Sequence, residues 1–262
     1  MNKNLLISIV TISYNDRDGL DKTIESVNKQ DYENIEHIII DGKSTDGTDE
    51  LLHEKTIRGR WISEPDQGIY DAMNKGVKLC SGDFVLMLNA SDVLNEVNTV
   101  SNAVNCIQSK GKYDAVYYGR VNVISDEIRY YYPPMSVDNS NIKVWISNSL
   151  PNHQAMFFPL SWYKINSYDI DLKIIADTEY KIRAKKYVDF VFVDEVIACF
   201  SYGGVSSDYS SFNHVLLILK ETWKVNKKYY SNFTASRKVL KKVIKYIAFF
   251  WLGDKKVYKL IK

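Results

Sequence analysis

The chain opens with LLISIVTISY (5–14), ten residues almost without a break in apolar or β-branched character, then turns polar at Asn15-Asp16. A continuous run of that length and composition predicts a strand buried on both faces, as in a parallel sheet. Residues 18–30 switch period, with Leu20, Ile24 and Val27 at helical spacing. IEHIIID (35–41) is a second strand ending on Asp41. Asp46 is placed to cap the helix that begins TDELLHEK. RWIS (60–63) predicts a short third strand. GIYDAMNKGVKLC (68–80) sets Ile69, Ala72, Met73, Gly76 and Val77 on one helical face, and DFVLML (83–88) is a fourth strand. The order β-α-β-α-β-α-β predicts a mostly parallel sheet with helices on both sides.

Beyond residue 95 the pattern loosens. A helix is expected over about 96–109, then a strand at DAVYYG (114–119) and a hairpin through VNVIS and IRYYY. Further strands are expected at HQAMFFP (153–159) and DFVFVDEVIACF (189–200), with a helix at ADTEYKIRAKK (176–186) and helical segments at 206–228 and 235–260. The length of 262 residues suits one large domain or one domain with an appendage. The division expected is 1–207 for the main domain, with halves 1–95 and 96–207, and 208–262 for a helical extension.

Charge changes the picture. The net charge is only +2, but from Lys220 onward lie 13 of the 34 basic residues and 2 of the 32 acidic ones. That makes a tail of +11 on a body of −9 and points to an anionic surface as partner. Val239, Leu240, Val243, Ile247 and Phe250 fall near one helical face, with Lys238, Lys241, Lys242 and Lys245 over the rest. Such a helix either lies on anionic lipid or packs on the body with a solvated basic face. Nucleic acid is not expected, since no reading motif accompanies the basic tail. Neither the N-terminal run nor YIAFFWL (246–252) is long enough for a signal peptide or a span. Cys80, Cys106 and Cys199 form no metal or disulfide pattern, which fits a reducing compartment. The 19 Tyr residues fit either a sugar-facing surface or a Tyr-rich core edge.

In open α/β sheets ligands bind beyond the carboxyl ends of the strands. Four such ends here are polar: Ser13-Tyr14-Asn15, Asp41, Glu64-Pro65-Asp66, and Asn89 to Asp92. Neither GxGxxG nor a Walker A loop is present, so a bound phosphate needs a metal or Lys/Arg.

The segments VTISYN (10–15), IIIDGKSTDGT (38–48), SEPDQGIYDAMNKG (63–76), SGDFVLMLNASD (81–92), NHQAMFF (152–158), IIADTEYKIR (174–183) and GGVSS (203–207) resemble, in order, the inverting family-two glycosyltransferases of the GT-A fold. They are most similar to bacterial enzymes that build colanic acid, O-antigen and capsule repeats. The resemblance implies that Asp41 bonds the uracil of a UDP-sugar, with Ser44 beside it and Thr11, Ser13 and Asn15 along base and ribose. Thr11 is equally placed to face a helix. Glu64 and Asp66 would lie along the ribose and donor sugar. Gly68 would admit the ligand to the backbone, and Asn74 and Lys75 follow on the next helix. Lys75 reads as a phosphate ligand or a solvated lysine.

LNASD aligns with the family's D-x-D, which holds Mn²⁺ or Mg²⁺ on the diphosphate. It departs from that motif at Asn89 and Ser91 and leaves Asp92 as the metal carboxylate. The family's base lies in an acidic pair at a helix start. Here the pair is Ala176-Asp177, so the resemblance implies Asp177 as general base rather than helix cap. Arg183 would pair with an acid of that helix or with a phosphate. His153 and Gln154 would lie near the acceptor, and GGVSS would be a loop over the donor.

The implied activity is transfer of a hexose, from UDP-glucose or UDP-galactose, to a saccharide on a polyprenyl diphosphate. The protein would be cytoplasmic and peripheral on the inner membrane face. The rivals are a non-catalytic sugar-nucleotide binder and a sugar-1-phosphate nucleotidyltransferase. The latter expects a Gly-rich basic loop where this chain has SYNDRDGL.

Overall fold

The computed structural model describes residues 4–125, 129–201 and 211–261. The first strand β1 (Ile7–Ser13) lies at the centre of a parallel block. On one side it pairs with β2 (Ile35–Asp41), which pairs with β3 (Gly59–Ser63); on the other it pairs with β4 (Phe84–Met87). Strands β1, β2 and β4 are buried on both faces, which is why their sequences are continuous apolar runs, while β3 at the sheet edge is largely exposed. The connecting helices are α1 (Arg17–Asn28), α2 (Thr48–Glu54) and α3 (Ile69–Lys78). Helix α1 turns Leu20, Thr23, Ile24 and Val27 inward, the stripe its spacing predicts. Helix α3 comes close to the sheet at Gly76, where an added Cβ would sit 2.4 Å from Val10 Cγ1. The N-terminal residue of α2 differs from expectation. Gly47 (φ 90°) takes the cap position, and Asp46 instead accepts from Thr48 N, Thr48 Oγ1 and Arg17 N.

After β5 (Val93–Leu94) and α4 (Thr99–Lys110), the second half extends the same sheet with mixed direction. Strand β6 (Val116–Ile124) forms the expected hairpin with β7 (Arg129–Tyr132). Strand β8 (Met156–Pro159) inserts antiparallel between β4 and β6, and β9 (Phe190–Ser201) runs parallel to β6. The order is β3-β2-β1-β4-β8-β6-β9-β5, with β7 paired to β6. The predicted strand at 153–159 begins as a 3₁₀ turn over His153–Ala155, because the Asn152 side chain accepts from Gln154 N. The short helices α5 (Ile142–Asn148) and α6 (Leu160–Ile165) carry no readable period.

Aromatic packing holds this half together. The Tyr168 and Tyr180 rings stack at 4.4 Å and Tyr163 and Tyr180 at 5.2 Å, all three buried. Many of the tyrosines are therefore core. Helix α7 (Ala176–Ala184) starts against α8 (Phe212–Tyr229), and α9 (Asn232–Ile261) packs on α8. Among the described residues, no helix is long and apolar enough to cross a membrane. Among the described residues of α9, the exposed large apolar ones are Phe233, Leu240, Ile244 and Ile247. Val239 and Val243 are half-buried, so the outward stripe is rotated from the one the sequence suggested. The GGVSS loop and the side chains of Lys245 and Phe250 lie outside the described residues.

Candidate active site

Parallel register brings the polar strand ends level: Ser13 pairs with Asp41, and Asp41 with Ser63. Beyond β4 the chain keeps following β1, with Leu88 N donating to Val10 O and Ala90 N to Ile12 O. It then turns at Ser91, a left-handed residue (φ 69°), which delivers Asn89 to Asp92 to the same edge. A cavity of about 880 Å³ opens there. Ser13, Tyr14, Asp66, Gly68, Asn89 and Asp92, all at the polar strand ends or turns the sequence singled out, line it, together with Asp16 and Gly42, which the sequence did not single out as ligands.

Two expected donor ligands are elsewhere. Thr11 is fully buried, its hydroxyl 2.8 Å from Nε2 of His37 on the neighbouring strand. Asp41 is also buried, and its carboxylate accepts from Ser44 N, Ser44 Oγ and Ser63 Oγ. Ser44 in turn accepts from Asn15 N, and Asn15 Oδ1 from Thr45 N. Asp41, Ser44 and Asn15 thus tie the ends of β1 and β2 together. Of Asp41 and Asp66, the one that lines the cavity is Asp66. Its Oδ2 lies 2.8 Å from where a Cβ on Gly42 would be, so the bare Gly42 backbone makes room for it beside the Tyr14 ring. Its Oδ1 accepts from the N–H of Gly68, whose φ of 114° requires glycine.

Glu64 and Lys75 form an ion pair at 2.8 Å, with Lys75 also donating to Pro65 O. Neither lines the cavity. Asn74 clamps the Tyr168 backbone through both ends of its amide. Arg183 is held by Glu179, Asn166 and Ser167 O, so its guanidinium is engaged within the fold rather than at either cavity. All four side chains thus have partners within the fold, and Arg183 takes the first of the two roles expected of it, pairing with an acid of its own helix.

A second cavity, about 330 Å³, adjoins the first, and Asn89 lines both. It holds Asp177, in the first turn of α7. Asp177 is no cap: its carboxylate lies 2.8 Å from Lys181 Nζ, 3.4 Å from His153 Nδ1 and 3.3 Å from the Tyr70 hydroxyl. Burial alone would raise its pKa. Lys181 and His153 outweigh burial and hold it well below the usual carboxylate range. The start of α7 is itself fixed from α8. Buried Glu221 accepts from the backbone N–H groups of Lys173, Ile174 and Ile175 at 2.7–3.1 Å, complementing the helix N-terminus. Nothing local in the sequence signals Glu221, Tyr70 or Lys181.

Asp92 is 3% exposed. Its Oδ2 accepts from Gln154 Nε2 at 2.9 Å and its Oδ1 from Ser201 N at 3.1 Å. Burial pushes its pKa up to about 7, and nearby Asp16 adds to the shift. Among the described residues, no three His, Cys, Asp or Glu side chains gather as a self-sufficient metal site. The donors do fit a hard cation shared with a diphosphate. Asn89 Oδ1 is buried without a partner three residues before Asp92 on the same turn, and Mg²⁺-type ions need few protein oxygens when phosphates and waters supply the rest.

A mixed sheet whose parallel half presents a cleft at its strand ends, beside a carboxylate at a helix start, defines a GT-A glycosyltransferase. The fold matches S. aureus TarS 1-349 in complex with UDP-GlcNAc (TM-score 0.65, 16% identity, 94% of this chain and 73% of that one). It also matches the mannosyltransferase PcManGT from Pyrobaculum calidifontis in complex with GDP-Man and Mn²⁺ (TM-score 0.62, 14% identity, 98% and 78%). Residues 8–166 match the model for glycosyl transferase family 2, and the chain belongs to that family. An uncharacterized glycosyltransferase of Mycobacterium tuberculosis, Rv1514c, is 36% identical over 206 residues, 77% of each chain. A PGL/p-HBAD biosynthesis glycosyltransferase of the same organism is 30% identical over 213 residues, 77% of this chain and 79% of its own.

Proposed function

We propose that the protein moves a hexose from a UDP-sugar, UDP-glucose or UDP-galactose, to a hydroxyl of a saccharide acceptor with inversion. The observation that carries this is the junction at Asn89. It places Asp92 in one cavity and Asp177 in the next, so a sugar at the junction would have its diphosphate on one side and an attacking hydroxyl on the other. The acceptor oxygen bonds to the anomeric carbon as the bond to the β-phosphate oxygen breaks. That electron pair leaves with UDP, and the hydroxyl proton passes to Asp177. Asp177 remains ionised throughout the physiological range, so it is always competent to accept. Its low basicity delays transfer until the attacking oxygen has become acidic.

Base recognition falls to Asp66, which can accept from an N–H such as uracil N3–H beside the Tyr14 ring. A divalent cation, Mn²⁺ or Mg²⁺, held by Asp92 and the Asn89 carbonyl, would supply charge for the departing diphosphate. The UDP-GlcNAc complex of TarS supports a nucleotide-sugar donor. A relative named for amylovoran biosynthesis in Erwinia amylovora, 29% identical over 132 residues (47% of this chain, 44% of its own), joins the PGL/p-HBAD protein in supporting a polysaccharide or glycolipid product. The acceptor we assign is a saccharide on a polyprenyl diphosphate, reached from the inner face of the plasma membrane through the outward face of α9.

The test is release of UDP from a panel of UDP-sugars with a lipid-diphosphate GlcNAc or GalNAc acceptor, with and without EDTA. Turnover that EDTA and Asp92→Ala both abolish is the expected result. UDP binding without turnover for any donor would instead identify a sugar-nucleotide binder.

A further inference from the structure

The 3₁₀ turn at His153–Ala155 carries two side chains that reach the donor and acceptor sides at once. Gln154, 1% exposed, donates from Nε2 to Asp92 Oδ2 at 2.9 Å. His153 stands between two groups. Its Nε2 is 3.4 Å from the Asn89 side-chain nitrogen, and its Nδ1 is 3.4 Å from Asp177 Oδ2. Asn89 lines both cavities and Asp177 the second. The turn is held by the Asn152 side chain and packs against β4, β6 and β9, so its side chains start from a fixed base.

The two ring contacts place the proton. An amide nitrogen can only donate, so Nε2 accepts from Asn89 and the ring N–H is on Nδ1, toward the Asp177 carboxylate. The contact matters because of what Asn89 is. A carboxylate at that position would offer an oxygen whichever way it turned, whereas an amide turned the wrong way presents two N–H hydrogens to a cation. With its nitrogen on His153, Asn89 leaves Oδ1, buried and without a partner, as the atom for the donor side. The other edge of the ring meets Asp177, whose carboxylate is also met by Lys181 and Tyr70.

We propose that His153 is a positioning residue for both halves of the site: it turns the Asn89 oxygen toward a cation-bound diphosphate and the Asp177 carboxylate toward the attacking hydroxyl. Gln154 fixes Asp92 beside them. The Asn89 half rests on the metal-assisted reading and the Asp177 half on the glycosyltransferase reading; the placement of the ring proton rests on neither. The amide at position 89 is thereby made a usable ligand by a ring 64 residues further along the chain.

The ring is read first, by nitrogen NMR of the histidine-labelled full chain, with the signals assigned by their loss in His153→Gln. A protonated Nδ1 and a bare Nε2 are expected, Asp177→Asn moving the first signal and Asn89→Ala the second. Two partial mimics then separate the halves. The amide nitrogen of Asn stands near imidazole Nδ1, and the amide of Gln reaches as far as Nε2. His153→Asn can still donate to Asp177 but not reach Asn89; His153→Gln can still accept from Asn89 but leaves Asp177. In calorimetry, His153→Asn should weaken Mn²⁺ uptake by the UDP-bound protein about tenfold or more. His153→Gln should put its loss on kcat instead, about tenfold or more at saturating donor and metal. In an Asn89→Ala background the effect of His153→Asn on Mn²⁺ should shrink to about twofold or less. Variants that lose metal uptake and kcat together, or that lower only the melting temperature, would reduce His153 to a packing residue and overturn the proposal, as would a proton on Nε2. If the ring and Mn²⁺ behave as described but no sugar is transferred from any donor, the glycosyltransferase reading fails and the positioning of Asn89 stands.

Discussion

Asp177→Asn separates chemistry from architecture at one carboxylate. The substitution keeps the shape and can keep the contact with the Tyr70 hydroxyl, but removes the charge opposite Lys181. A positioned general base is worth roughly 10²–10⁴ in rate, or about 3–5 kcal/mol at 1.36 kcal/mol per decade. The same change leaves the Lys181 ammonium, 8% exposed, without its counter-ion. Stripping one partner from a buried pair costs about 3–5 kcal/mol. Asp177 is 18% exposed, so about 2–3 kcal/mol is expected here, a melting point lower by roughly 5–10 °C. The two effects come apart in Asp177→Asn/Lys181→Met, which no longer buries an unmatched cation. It should regain most of the stability and none of the turnover. UDP release at saturating acceptor, beside thermal unfolding, reads both. Turnover of Asp177→Asn within threefold of the parent, or recovered in the double variant, would show that Asp177 serves only to neutralise Lys181.

Other outcomes follow from single contacts. Burial holds the His37 imidazole neutral with a pKa near 3, below its ordinary 6.5. Its contribution to stability is therefore intact above pH 6.5 and is lost as pH falls toward 3, about 3 kcal/mol by pH 4.5. Urea unfolding of His37→Gln should lack that part of the acid slope, and an unchanged slope would refute it. Gly76→Ala should destabilise by about 1–2 kcal/mol, because the clash with Val10 Cγ1 at 2.4 Å exceeds the helix-propensity gain. A stabilised variant would mean that α3 shifts freely on the sheet. With one carboxylate and one amide oxygen at the turn, Mn²⁺ should bind strongly only once UDP is present, and Asp92→Asn should weaken that uptake at least tenfold. Tight Mn²⁺ binding to the protein alone, measured by calorimetry, would contradict a cation shared with the diphosphate.

The first half of the fold was legible because a strand covered on both faces must be apolar throughout, and IEHIIID matches β2 to the residue. The second half was less so. Helices α5 and α6 are too short for a period to show, and the Tyr163–Tyr180 stack that secures α6 joins residues seventeen apart. At the site, Asn89 and Asp92 could be picked from the sequence because polar residues after an apolar run mark a strand end, whereas His153, Gln154 and Asp177 were singled out only by the resemblance to the family. Which way a strand-end side chain points could not be picked. Thr11 and Asp41 sit at promising positions but are turned into the protein, where His37, Ser44 and Ser63 meet them. Asp66 gains the cavity only because Gly42, on another strand end, lacks a side chain.

The Glu221 carboxylate beneath the three amides at the head of α7 bears on how the chain divides. The stretch matching the family model stops at residue 166, before Asp177, and the group that steadies Asp177's helix comes 44 residues after that aspartate. A version of this protein ending after β9 would keep the described lining of the nucleotide cleft and lose the brace on the proposed proton acceptor. On the proposed mechanism, α8 thus belongs with the catalytic residues rather than with an appendage. Shortening the protein from that end should silence turnover well before it disturbs nucleotide binding.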